Sequence, residues 1–280
     1  MIELTNHTLK LFTYPAGERG CVISPIPPMG KASFYHLTLT LSFQGSDDII
    51  DMLNVVNAFR NMYGKDACLN LVARYLPFSR QDRVTECGGA FSLQMFAEVV
   101  KLCNFNKVYT SDAHSDVSAA LFPAGMLDNR DMTDIWDETV MNQGFQETYD
   151  KVVLISPDAG ALKKVYKLAQ ACGLRVAEAR KVRDVETGAI THSEIDMAQL
   201  SGVTDAYIVD DICDGGRTFT ELGKLIRDGG YKGSLTLCVT HGIFSKGLHK
   251  DFEVFTNILC KNVMRPELEE QLSNFEGKQY

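Results

Sequence analysis

The sequence predicts an α/β fold of two domains, each a mainly parallel sheet flanked by helices. Short, near-continuous apolar runs recur along the chain, and amphipathic helical stretches separate them. The length of 280 residues exceeds one ordinary domain. Apolar runs without polar alternation suit strands covered on both faces, as in a parallel sheet.

In chain order, the first helix is expected from Ser46 and Asp47, with Ile49, Leu53, Val56 and Phe59 on one face and a stop near Gly64. Leu69–Ala73 reads as the strand that follows. The stretch 122–147 is the least regular, so the boundary is placed near 146, giving domains of 1–145 and 146–280. Val152–Ile155, Ala206–Val209 and Leu235–Val239 read as strands of the second domain. Phe219, Leu222 and Leu225 share a face of a helix that ends before Gly229 and Gly230. In this architecture ligands sit at the carboxyl ends of the strands.

Composition narrows the chemistry. Apolar residues make up 45% and charged residues 23%, ordinary for a globular protein. A net charge of −8 offers no basic footprint for nucleic acid or for an anionic membrane. Any phosphorylated ligand must therefore meet local cations, backbone N–H groups or Mg²⁺. The eight cysteines are scattered and form no C-x-x-C pair, which favours free thiols over a disulfide framework or a zinc site. With no basic-then-apolar leader and no apolar run of membrane-spanning length, a cytoplasmic protein is expected.

The most informative segment is Ile208–Phe219, where an apolar strand ends in Asp210 and Asp211. A loop of Asp214, Gly215 and Gly216 follows, and a helix begins at Arg217 and Thr218. Loop N–H groups and the positive end of a helix bind a phosphate dianion well, and glycine lets the backbone come close. The two acids can accept hydrogen bonds from a sugar diol, or hold Mg²⁺ through water. Spacing alone fits equally a plain strand–turn–helix with solvated acids. The segment also resembles the PRPP-binding motif shared by phosphoribosyltransferases and PRPP synthetases.

Further segments resemble PRPP synthetases (ribose-phosphate pyrophosphokinases) in that family's order, across nearly the whole chain. Tyr75–Arg83 is similar to the ATP-binding segment, which implies that Arg80 bridges ATP phosphates with its planar fork and that Gln81, Asp82 and Arg83 line the nucleotide. Asp112 and His114 match a strand end whose His reaches Mg²⁺ and the phosphates. Ser156–Ala161 resembles the pyrophosphate loop, with Asp158, Ala159 and Gly160 facing the transferred diphosphate and Asp158 near the metal. Lys181 and Arg183 match the catalytic basic pair that neutralises charge on the transferring phosphoryl group. Phe12–Glu18 resembles the adenine-recognition hairpin, with Tyr14 stacking on the base and Glu18 accepting a hydrogen bond in a neighbouring subunit's site. A homo-oligomer, dimer or hexamer, follows from that likeness.

The chain also departs from the family. Ala16 replaces an acid of the hairpin, which removes one contact to the base. Val84–Gly89 replaces a basic loop, and Arg217 stands where the family has glycine. A cation there suggests either a surface side chain or a longer acceptor anion, such as the diphosphate of ADP-ribose. The resemblance implies Mg²⁺-dependent transfer of diphosphate from ATP to the anomeric hydroxyl of a 5-phosphorylated ribose. The rival readings are a PRPP-using phosphoribosyltransferase and a non-catalytic regulatory subunit of the same family.

Overall fold

The computed structural model describes residues 1–26, 36–141, 149–183 and 190–275. The chain forms two compact units, Met1–Arg130 and Asp131–Tyr280. The boundary expected near 146 lies outside the described residues. The division falls earlier because a helix at Met132–Met141 packs on a helix of the second unit.

The first unit carries β1 (Ile2–Leu4), β2 (His7–Thr13), β3 (Arg19–Pro25), β4 (His36–Leu41), α1 (Asp47–Tyr63), β5 (Cys68–Val72), α2 (Ser92–Leu102), β6 (Lys107–Ser111), α3 (Val117–Leu121) and β7 (Leu127–Arg130). Its main sheet has the order β1-β4-β5-β6-β7, parallel except for the β1–β4 edge. Leu37, Leu39, Leu69 and Leu71 of the central strands are buried against Met52, Val55 and Phe59 of α1 and Leu93, Phe96 and Val100 of α2. Each such side chain contributes about 1.5–3 kcal/mol by leaving water. β2 and β3 form a separate hairpin sheet, fastened to α1 by Arg19. The Arg19 guanidinium grips the buried Asp51 carboxylate, with Nε donating at 2.9 Å, and Asn54 Nδ2 donates to the Arg19 carbonyl at 2.9 Å.

Two details of α1 differ from expectation. The buried stripe is Met52, Val55, Val56 and Phe59, while Leu53 is exposed. Ser46 makes no side-chain cap. Instead the Asp48 carboxylate reaches back to the Gln44 and Gly45 N–H groups at 2.7 and 3.2 Å. Gly64 closes the helix at a φ of 86°, its N–H donating to the Arg60 carbonyl.

The second unit carries α4 (Met132–Met141), β8 (Val152–Ser156), α5 (Leu162–Cys172), β9 (Arg175–Arg183), β10 (Ile190–Ile195), β11 (Asp205–Cys213), α6 (Arg217–Asp228), β12 (Ser234–Gly242), β13 (Asn257–Val263) and α7 (Glu269–Ser273). The sheet order is β10-β9-β8-β11-β12-β13, parallel except for the β9–β10 hairpin at one edge. Every residue of β8 is buried, and so is nearly all of β12, as strands covered on both faces require. No helix among the described residues is long and apolar enough to cross a membrane. All eight cysteines are free thiols, with Cys87 exposed and Cys103, Cys172, Cys213 and Cys238 buried.

Candidate active site

In the first unit the ends of β5 and β6 run on together. Ala73 N–H donates to Tyr109 O at 2.9 Å, and Ser111 N–H donates to Arg74 O at 3.0 Å. The chain then folds into a tight turn at Leu76–Gln81. Ser79 N–H donates to Leu76 O, Gln81 N–H donates to Phe78 O, and Phe78 takes a φ of 62°. The Gln81 carbonyl accepts the Leu93 N–H at the start of α2. Arg80 and Gln81 are thereby held exposed at the carboxyl end of the sheet. Asp82 points inward at 5% exposure, and Arg83 Nε donates to it at 3.0 Å. Burial acts to raise the Asp82 carboxyl. Hydrogen bonds, Arg83's among them, and the nearby Arg83 and His114 charges outweigh it, holding the carboxyl below its ordinary value. Asp82 thus supports the segment from within.

His114 lies near enough for its charge to act on the Asp82 carboxyl. Asp112 is buried with a φ of 44°, its N–H donating to Arg130 O at 2.7 Å, and Ala113 N–H donates to Asn129 Oδ1 at 3.0 Å. This kink ends β6 and leaves His114 half-buried at the turn. Tyr14 and Glu18 sit on the tip of the β2–β3 hairpin. Tyr14 N–H donates to Glu18 O at 2.8 Å, and the Tyr14 ring is 53% exposed, packed edge-on to Phe12.

In the second unit β8 ends in a turn organised by Asp158. Its Oδ1 accepts the Gly160 and Ala161 N–H groups at 2.9 and 3.2 Å, and Ser156 Oγ donates to the Asp158 carbonyl at 2.9 Å. Ala159 and Gly160 are exposed at the tip. Asp210 and Asp211 lie side by side near the end of β11, the Asp211 N–H donating to Asp210 Oδ1 at 2.8 Å. Burial, then the charges of Asp211 and Asp158, push the Asp210 carboxyl well above its ordinary value. Lys164, in the first turn of α5, donates to Asp211 Oδ2 at 3.0 Å. Sequence reasoning passed over Lys164. Its signal was a cation in the first turn of the helix after Pro157–Gly160.

Asp214 and Gly215 lead into α6, and Gly216 is its N-cap, with a φ of 78°. A Cβ there would stand 2.2 Å from the Phe252 ring, so the position demands glycine on two grounds. Thr218 sits half-buried in the first turn of α6. Arg217 opens α6 directly after the loop; its side chain is 86% exposed, and its Nε donates to Glu221 one turn along at 2.7 Å. The backbones of Lys181 and Arg183 lie on β9 opposite Ser193 and Ile190 of β10. Their side chains lie outside the described residues. Among the described residues no three His, Cys, Asp or Glu side chains group to hold a metal by themselves.

Residues 133–270 match the family model of the phosphoribosyl transferase domain. The span includes the Asp158 turn, the β9–β10 hairpin and the β11–α6 junction. The chain is 25% identical over 254 residues to a ribose-phosphate pyrophosphokinase of Thermococcus kodakarensis, covering 88% of this chain and 83% of that one. It is 28% identical over 249 residues to a ribose-phosphate pyrophosphokinase of Pyrococcus furiosus, covering 87% and 80%. Its fold is similar to a crystal structure of phosphoribosylpyrophosphate synthetase from Mycobacterium smegmatis. The TM-score is 0.73 at 17% identity, covering 98% of this chain and 85% of that one.

Proposed function

The chain belongs to the ribose-phosphate pyrophosphokinase (PRPP synthetase) family, and from that premise we propose that it transfers diphosphate from ATP to the anomeric hydroxyl of ribose 5-phosphate. The chain is a diphosphotransferase; its substrates, metal and residue roles are our reading. The observation that carries the reading is the β11–α6 junction. Two adjacent acids, one ion-paired to Lys164, stand beside a glycine-capped helix N-terminus. Acids suit the sugar diol, and backbone N–H groups suit its phosphate.

In this mechanism Arg80, Gln81 and Arg83 bind the ATP phosphates and His114 approaches them, while Asp82 holds the segment in place. Asp210 and Asp211 orient the ribose, and the 214–218 loop binds its phosphate. The anomeric oxygen attacks the β-phosphorus in line. The bond from that phosphorus to the bridging oxygen breaks, AMP departs with that oxygen, and the hydroxyl proton is lost to water. Lys181 and Arg183 neutralise charge on the transferring group, while Asp158, Ala159 and Gly160 face the diphosphate.

Mg²⁺ fits the donors at hand. The acids of the second unit carry mutual repulsion that raises the Asp210 carboxyl, and Mg²⁺ typically takes one or two carboxylates beside water and substrate phosphates. Asp158 in the second unit, and separately His114 with Asp112 in the first, are the residues that would hold such an ion. The ion would neutralise phosphate charge when bound. A homodimer or hexamer, in which an exposed Tyr14 hairpin completes a neighbour's adenine site, belongs to the same proposal.

The test is AMP formation from MgATP, followed chromatographically with ribose 5-phosphate, ADP-ribose and ribose offered separately. AMP with ribose 5-phosphate supports the reading. AMP with ADP-ribose alone would move the acceptor to the longer anion, which Arg217, paired to Glu221, does not favour. AMP with none of them would leave the regulatory reading, and turnover of PRPP without ATP would indicate a phosphoribosyltransferase.

A further inference from the structure

The loop that receives the acceptor phosphate needs a cation, and Arg217 turns away from it. The segment after β12 supplies a replacement. Its path is fixed to the loop at several points. Ile243 and Phe244 N–H donate to Cys213 O at 2.8 and 3.2 Å, and the turn closes through Gly247 N–H to Phe244 O at 2.7 Å. Phe244 is fully buried at a φ of 42°, and Arg265 Nη1 donates to its carbonyl at 3.0 Å. Farther on, His249 Nε2 donates to the Gly215 carbonyl at 3.2 Å, with its ring 4.8 Å from that of Phe252, the residue that walls Gly216.

Lys246 lies at the exposed tip of this turn. Its Cδ and Cε stand 3.6 Å from the point where a Cβ on Gly215 would be, so its aliphatic stem runs along the loop itself. Three cations of neighbouring elements are ion-paired, Arg217 with Glu221, Lys224 with Asp251 and Arg265 with Glu267, whereas the exposed Lys250 is not among them. Among the described residues Lys246 has no such partner. A lysine whose stem rests on a phosphate loop and whose charge is uncompensated is disposed to meet an anion there.

We propose that Lys246 is the specificity-determining cation for the acceptor, contacting the phosphoryl oxygens on the sugar's C5 from the side opposite the α6 N-terminus. This rests on the reading of residues 214–218 as the acceptor-phosphate site. Lys246 then selects a 5-phosphorylated sugar over the neutral sugar, and His249 holds the turn that carries it.

Calorimetric titration of the full chain with ribose 5-phosphate, alongside steady-state kinetics, tests the proposal in Lys246→Met, Lys246→Arg and Lys250→Met. Lys246→Met keeps the stem and removes the charge. It is expected to weaken ribose 5-phosphate binding and raise its KM about tenfold, the scale of one charge-assisted contact. The ATP KM and kcat should stay within about twofold, and Lys246→Arg should recover most of the affinity. Lys250→Met, which removes a nearby exposed charge, should bind like the wild type. Equal binding by Lys246→Met and the wild type overturns the proposal, as does a wild type that fails to bind ribose 5-phosphate. A wild type that binds it but releases no AMP sinks the functional reading, while the binding ratio still decides the role of Lys246.

Discussion

The two units prepare their candidate sites by different means. In the first, sharp turns at the strand ends are made by residues with side chains: Phe78 and Asp112 hold φ values of 62° and 44°. In the second, Phe244 after β12 does the same at a φ of 42°, but the bend that opens α6 is given to Gly216, at a φ of 78°, with Phe252 filling the space a side chain would need. Charge differs too. The candidate residues of the first unit include Arg80, Arg83 and His114, whereas the second unit has Asp158, Asp210 and Asp211, with Asp211 ion-paired to Lys164. A polyphosphate calls for cations held firmly, and strained non-glycine backbone is a common means of fixing side chains at functional sites. A sugar diol calls for acceptors, and its phosphate for backbone, which only glycine lets approach closely.

The comparison breaks most visibly if the basic pair on β9 is dispensable. Lys181→Ala is expected to lower kcat about 10³-fold, with smaller changes in either KM, in a steady-state assay. A fall below tenfold would contradict its catalytic role.

Asp210→Asn sharpens the contrast in charge. Removing one acceptor of the diol is expected to cost about 100-fold in kcat/KM. Stability should move the other way, because the Asp210 carboxyl is raised by burial and by Asp211. A raised acid costs the fold as it ionises: its penalty is absent below the ordinary carboxylate value of about 4 and grows as pH rises through the higher folded value. The variant should therefore melt higher than the wild type near neutral pH, and the gap should close under acid. Thermal melts across pH would show it, and an equal or lower neutral melting point would count against the account.

Gly216→Ala probes the backbone side of the comparison. The left-handed φ and the Phe252 overlap are together expected to cost about 3 kcal/mol in denaturant unfolding. Gly215→Ala, whose Cβ would meet only the Lys246 stem at ordinary distance, should cost far less. Smaller still in free energy, Arg80→Ala is expected to raise the ATP KM about tenfold and leave the acceptor KM nearly alone. A matching change in both constants would mean that Arg80 does not belong to the nucleotide half.

Much of this was legible in the sequence. The apolar runs became β5, β8, β11 and β12, and the Ile208–Phe219 segment became the strand, loop and helix it resembles. The reason is local: buried strands and a glycine-led helix start write themselves into adjacent residues. What stayed hidden depends on distant partners. The α1 face was misjudged at Leu53 because the sheet, not periodicity, decides which stripe is covered. α1 opens at Ser46 and Asp47 as expected, but the carboxylate that binds backbone N–H groups there is that of Asp48, which reaches upstream to Gln44 and Gly45. Of the two readings of Arg217, the structure shows an exposed side chain paired to Glu221 four residues on, a contact that a motif centred on the loop does not include. Lys164 meets Asp211, and the Lys246 stem lies along Gly215, across long separations of chain, which no short motif encodes.

The most direct test of the central claim is where the ATP phosphorus goes. Phosphorus NMR of MgATP and ribose 5-phosphate with the full chain should show the β- and γ-phosphorus moving together to the sugar's C1, with one AMP formed per product. ADP in place of AMP, or free phosphate without a new sugar diphosphate, would contradict diphosphate transfer.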